Sequence, residues 1–242
     1  MKKIPETDAI FEHVAKANAA ADADPSTVRI SIDSKAKVKV GNLSRGGKDR
    51  RRSAPQADDH DTDWQSVVLP FGIRNMDTDE LTLYMSESAE TPDFIVDCLR
   101  AWWQENHPQY PDVTTLAINL DSGGATRSNR TQFIKRLVQF CRSTGMRIEL
   151  IYYPPYHSKY NPIERYWAAL ELCWQGAILD SVDTVLNWAK TMKWKGQSPV
   201  VHHVTQTYEK GISVKADDLE SFRVDWLPSQ MLPKWAITIA PG

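Results

Sequence analysis

Val28-Arg29-Ile30-Ser31-Ile32-Asp33-Ser34-Lys35-Ala36-Lys37-Val38-Lys39-Val40 alternates apolar and polar side chains almost throughout. Val28, Ile30, Ile32, Ala36, Val38 and Val40 share one phase; Arg29, Ser31, Asp33, Lys35, Lys37 and Lys39 share the other. A period of two predicts a single long strand with one buried and one polar face. Aspartate is depleted from strand interiors, so Asp33 in mid-strand needs a reason beyond a surface ion pair with Lys35.

Upstream, the stretch from Glu6 to Ala21 favours helix, with Ile10, Phe11 and Val14 as its apolar stripe, and Asp24-Pro25-Ser26 breaks it. Downstream, Val67-Val68-Leu69 and Leu81-Thr82-Leu83-Tyr84-Met85 flank the turn-rich Asn75-Met76-Asp77-Thr78-Asp79, which predicts a hairpin. Thr91-Pro92-Asp93 opens a helix to about Asn106. Leu116 to Asp121 reads as a short apolar strand, 129–143 as a helix stopped by Gly145, and Arg147 to Tyr153 as another strand. Helices follow from Asn161 and over 181–192. Antiparallel strands first and strand–helix alternation later predict an α/β protein with a mixed central sheet flanked by helices. The division expected is a leading helical segment (1–27), a core (28–200) and a C-terminal extension (201–242).

The 242 residues suffice for a sizeable core, and 41% apolar with 25% charged residues is ordinary globular composition. No stretch reads as a membrane span or signal peptide, so the expectation is a cytoplasmic protein. Cys98, Cys141 and Cys173 are isolated and odd in number, and read as buried fillers, not a disulfide frame or zinc site. The net charge of −2 gives no global attraction to nucleic acid, but its distribution does. Lys35, Lys37, Lys39, Arg45, Lys48, Arg50, Arg51 and Arg52 face one acid, Asp49, before the run flips to Asp58, Asp59, Asp61 and Asp63. Such a basic loop suits phosphate neutralisation, and equally suits a solvated surface loop.

Three carboxylates stand at element ends or in a strand: Asp33, Asp121 before Ser122-Gly123-Gly124, and Glu164. Glu164 follows Tyr152-Tyr153-Pro154-Pro155-Tyr156-His157-Ser158-Lys159-Tyr160-Asn161-Pro162-Ile163. Asn161-Pro162-Ile163-Glu164 fits an N-cap, a proline in the first turn and a capping-box glutamate, so helix initiation alone accounts for it. A helix N-terminus also favours an ionised carboxylate. Two aspartates and a glutamate suit hard magnesium ions, and two-ion sites serve phosphoryl transfer. There is no P-loop, nucleophile elbow or HExxH motif.

Together, Ile30-Ser31-Ile32-Asp33, Asn119-Leu120-Asp121-Ser122-Gly123 and Tyr153 through Glu164 resemble the DDE transposases of bacterial insertion sequences. The resemblance is to the ISAzo-thirteen group, distant relatives of Tc-mariner elements, and runs from about Ile4 to about Ile239. It includes Arg45-Gly46-Gly47-Lys48, Phe94-Ile95-Val96-Asp97-Cys98-Leu99 and Trp194-Lys195-Gly196. It implies an RNase H-like fold and a triad of Asp33, Asp121 and Glu164 that binds Mg2+, with Mn2+ as a substitute. It also implies a double-stranded DNA substrate (element ends and target), a homodimer or higher oligomer on DNA, and association with the nucleoid. Where many relatives have Asp-Asn-Gly, this chain has Asp121-Ser122-Gly123. Members usually carry an N-terminal helix-turn-helix region, and this chain starts just before the core, so a truncated copy is one expectation.

The residues expected to meet DNA are Lys35, Lys37, Arg45, Lys48, Arg50, Arg51, Arg52, His157, Lys159 and Arg165. Two other functions fit the same elements: an RNase H-like nuclease acting on RNA–DNA hybrids, and a non-catalytic DNA-binding remnant.

Overall fold

The computed structural model describes residues 3–43, 45–47, 56–57 and 64–241. Its centre is a mixed sheet in the order β7-β4-β3-β1-β5-β6-β9-β8, with β2 paired to β3 off that path. The strands are β1 (Thr27–Ser34), β2 (Val38–Val40), β3 (Ser66–Asn75), β4 (Leu81–Ser86), β5 (Thr115–Leu120), β6 (Arg147–Tyr152), β7 (Val200–Val204), β8 (Trp226–Pro228) and β9 (Ala236–Ile239). The helices are α1 (Thr7–Ala23), α2 (Pro92–Asn106), α3 (Thr131–Thr144), α4 (Glu164–Trp174), α5 (Val182–Thr191) and α6 (Ala216–Phe222).

The expected hairpin is present as β3–β4, and the expected alternation as β5-α3-β6-α4. Local chemistry sets the helix ends. Thr91 caps α2 by accepting the Phe94 N–H at 3.2 Å, Ser181 caps α5 by accepting that of Thr184 at 3.1 Å, and Gly145 closes α3 at φ 73°.

The opening stretch departs from its expectation in two ways. It is not one strand: β1 and β2 both pair with β3, but the ladder slips by one residue between Asp33↔Gly72 and Val38↔Val68. The Lys35 N–H donates to the Pro70 carbonyl at 2.9 Å, and Pro70, having no N–H, cannot return the bond. The extra residue is absorbed there as a bulge. Nor does β1 have a solvated polar face. It lies between β3 and the parallel β5, and Ser31 and Arg29 are buried beside Val28, Ile30 and Ile32.

Two helical layers cover the sheet. Val28, Ile30, Ile32, Leu116, Ile118 and Leu120 pack with Phe94, Ile95, Leu99 and Trp102 of α2 and Phe133, Leu137 and Phe140 of α3. Side chains of the opposite phase, Ala117, Ile151 and Tyr153, meet Ile10 and Val14 of α1. On that same face, Leu81, Leu83 and Met85 pack under Tyr166, Trp167, Leu170 and Trp174 of α4 and under α5. Ser31 and Asp33 therefore look toward α4 through the gap between α1 and the α4–α5 pair. Beyond position 200, β7 extends the sheet beside β4, and β9 joins it beside β6.

Cys98 and Cys141 are buried fillers as expected, and Cys173 is half-buried. No helix among the described residues is long and apolar enough to cross a membrane.

Candidate metal and DNA-cleavage site

Ser31 pairs with Asn119 across the parallel β1–β5 ladder. Two residues further along each strand direction, Asp33 and Asp121 stand level at the carboxyl ends of neighbouring strands. That is where open α/β sheets present ligands. Both aspartates line a small cleft of about 40 Å³ with Ile32, Ser34, Phe71, Glu90, Ile95, Leu120, Gly123 and Thr126. Glu164 is half-buried at the first turn of α4, on the same face of the sheet.

The electrostatics show that the three groups sense one another. Burial pushes the Asp33 carboxyl up to about 7; a hydrogen bond from Trp167 opposes this, and repulsion from Asp121 and Glu164 adds to it. Burial raises Asp121 to about 6; a hydrogen bond from Asn161 opposes the rise, and Glu164 again adds. Among the described residues, none of the three carboxylates forms an ion pair. Nor do three acidic, histidine or cysteine groups there already stand close enough to hold a metal ion. The donors fit such an ion in kind: all are carboxylate oxygens, which hard divalent cations prefer, and their negative charge is uncompensated.

Helix α4 starts differently from the expectation. Asn161 is not a side-chain N-cap and no capping box forms; the carbonyl of Asn161 still accepts the Glu164 N–H at 3.1 Å. Its amide is fully buried and turned toward the sheet. Asn161 Oδ1 accepts from Ser31 Oγ at 2.5 Å, while Nδ2 donates to the Ile32 carbonyl and to Asp121 Oδ2, both at 3.1 Å. The inward partners win because Ser31 and Ile32 offer a buried donor and acceptor that no water reaches. Trp167, expected only as part of an apolar stripe, donates its indole N–H to Asp33 Oδ2 at 2.8 Å. Its ring lies over Gly72, where an added Cβ would come within 2.7 Å of the indole. One sequence signal pointed here: a buried indole N–H is a donor that must find an acceptor.

The residues expected to meet DNA divide into groups. Lys48, Arg50, Arg51 and Arg52 lie outside the described residues, as do Asp58, Asp59, His60 and Asp61. Lys37, Lys159 and Arg165 are exposed, and among the described residues no ion-pair partner meets them. Lys35 and Arg45 are occupied instead: Lys35 Nζ sits 3.0 Å from Glu171 Oε2, and Arg45 pairs with the other oxygen of Glu171 while lying over the Trp174 ring. His157 differs from the exposed cations. It is 2% exposed, its Nδ1 lies 2.7 Å from the Pro155 carbonyl, and its ring packs edge-on against Phe11. Burial removes it from the reach of a phosphate backbone. Of the neighbouring tyrosines, Tyr152 and Tyr153 are core residues, whereas Tyr156 and Tyr160 are exposed.

Comparisons with known proteins bear on the family and the fold. No curated protein matches the chain. A solved structure described as the Mos1 transposase paired-end complex with left transposon end is similar in fold, with a TM-score of 0.54 at 9% identity. The similarity covers 76% of this chain and 52% of that one, so this chain spans about half the length of its structural neighbour. The shared architecture is the RNase H-like one, a mixed sheet with helices on both faces. Residues 1–241 match the family described as Rhodopirellula transposase DDE domain. That match spans nearly the whole chain, and the chain belongs to the DDE transposase domain family.

Proposed function

We propose that this chain is a transposase catalytic domain that cleaves DNA at the ends of an insertion sequence and joins the freed strand to target DNA. The observation that supports the reading is that Asp33 is raised by Asp121 and Glu164, and Asp121 by Glu164, with no ion-pair partner for any of the three among the described residues. Asp33, Asp121 and Glu164 are the residues that would hold Mg2+, or Mn2+ in its place. Divalent ions supply charge neutralisation at the scissile phosphate and activation of the attacking oxygen.

The chain's own residues do the rest. The strand ends hold Asp33 and Asp121 at level positions, and the first turn of α4 carries the half-buried Glu164. Cleavage consumes water and leaves a 3′-hydroxyl on the element end and a 5′-phosphate on the flank. In joining, that hydroxyl attacks a target phosphodiester, forms a new ester bond and releases a target 3′-hydroxyl. Lys37, Lys159 and Arg165 are exposed cations that would hold the DNA backbone by charge. A dimer or higher oligomer would bring two element ends together, and association with the nucleoid follows from the substrate.

A labelled duplex carrying the inverted repeats that flank the reading frame tests this. The expected result is nicking at the repeat terminus in Mg2+ or Mn2+, lost in Glu164→Gln. Cleavage that persists in Glu164→Gln contradicts the role given to that residue. Cleavage of RNA–DNA hybrid in preference to this duplex contradicts the transposase reading.

A further inference from the structure

Asn161, Glu164 and Trp167 are spaced by three, so they recur on one side of the chain as it enters and follows α4. Each meets a different part of the acidic site. Glu164 is itself one of the three carboxylates. Asn161 donates to Asp121 Oδ2 and ties the same contact to β1 through Ser31 Oγ and the Ile32 carbonyl. Trp167 donates to Asp33 Oδ2. One short segment thus touches both strands that carry the aspartates.

We propose that residues 161–167 orient the whole site: Asn161 and Trp167 are positioning residues that each hold one oxygen of an aspartate and leave the other for the cation. This rests on the divalent-metal reading above.

The chemistry of the two donors supports it. The Asn161 side chain has both functions engaged in a site that is 0% exposed, so its rotamer is fixed by three hydrogen bonds. The indole N–H donates only, so it holds Asp33 Oδ2 as an acceptor and cannot exchange roles. Gly72 belongs to the same device. A Cβ there would lie 2.7 Å from Trp167 Cη2 and 2.8 Å from Ile163 Cδ1, so the ring occupies the place of the missing side chain. Backbone freedom is not what this glycine supplies; close approach is. If Trp167 and Gly72 served packing alone, an aromatic ring without the N–H would do as well.

Manganese titration of the full chain, followed by electron paramagnetic resonance of the free ion, decides between these. The proteins are wild type, Trp167→Phe, Gly72→Ala, Asn161→Asp and Asp33→Asn, each checked by circular dichroism for its fold. Trp167→Phe keeps the ring and loses the donor; its manganese Kd should rise about tenfold or more, the usual cost of removing an outer-shell partner. Gly72→Ala, which displaces the ring without touching an acid, should show the same loss, and so should Asn161→Asp, which replaces a donor with an acceptor facing Asp121. Wild-type affinity in any folded variant among Trp167→Phe and Gly72→Ala, with binding lost in Asp33→Asn, overturns this inference alone. Equal binding by wild type and Asp33→Asn overturns the metal reading and this inference with it.

Discussion

Asp33 lies directly opposite Gly72 in the β1–β3 ladder, and the space above that glycine holds the indole that hydrogen-bonds the aspartate. The Trp167 ring reaches a carboxylate on a central strand where the neighbouring strand carries no side chain. Gly72 is that position. The result is a half-buried aspartate with the Trp167 indole as its side-chain donor and two acidic neighbours.

Metal-free stability should therefore fall as pH rises. Asp33 and Asp121 are raised in the folded chain to about 7 and about 6. A raised carboxyl contributes its full stability below the unfolded value and loses it as pH climbs through the folded one. Between pH 5 and 8 the combined loss is on the order of 2–4 kcal/mol, or roughly 5–10 °C in Tm for a chain of this size. Thermal melts in EDTA should show that decline, and Asp33→Asn should flatten it. A wild-type Tm that stays constant from pH 5 to 8 contradicts the burial argument.

Removing Glu171 should release cations toward DNA. Burial alone would raise its carboxyl, but Lys35 and Arg45 hold it below the usual range, so all three are charged together. Glu171→Gln frees up to two cations, and the slope of log affinity against log salt should steepen by about one to two. Filter-binding across a salt series measures it. An unchanged slope means that Lys35 and Arg45 do not face the DNA even when unpaired.

Lys37, Lys159 and Arg165 are exposed and have no ion-pair partner among the described residues. Replacing each with alanine should weaken duplex binding at low salt and lower the salt slope by about one for each phosphate no longer neutralised. His157→Gln, by contrast, should leave the slope alone and lower Tm, because His157 packs against Phe11 inside the protein. A smaller salt slope in His157→Gln with unchanged Tm would reverse this assignment.

Much of the sheet was legible because its strands are marked by periodicity and its helices by caps: Thr91, Ser181 and Gly145 stand where their chemistry says they should. The electrostatic coupling of Asp33 and Asp121 to Glu164 joins three carboxylates that the sequence marked because each sits where a structural role leaves it unexplained or only half explained. The face of β1 was not legible. Alternation reports polarity, and Ser31 is polar yet buried, because its partner Asn161 lies 130 residues away. Asn161 was misread for the same cause: its local context is that of a helix cap, and only the folded chain supplies the Ser31, Ile32 and Asp121 contacts that turn it inward. Glu171 gave no signal in sequence, as its meaning depends on Lys35 and Arg45 arriving from a distant part of the chain. The break after Ser34 depends on Pro70, a residue on the partner strand.

A crystal of the chain soaked in manganese and measured at the manganese absorption edge shows whether the three carboxylates share an ion. Anomalous density is expected between Asp33 and Asp121, with Glu164 as a further ligand and Trp167 still bonded to Asp33 Oδ2. Density elsewhere on the surface, with the three carboxylates left without an ion between them, would contradict the metal reading.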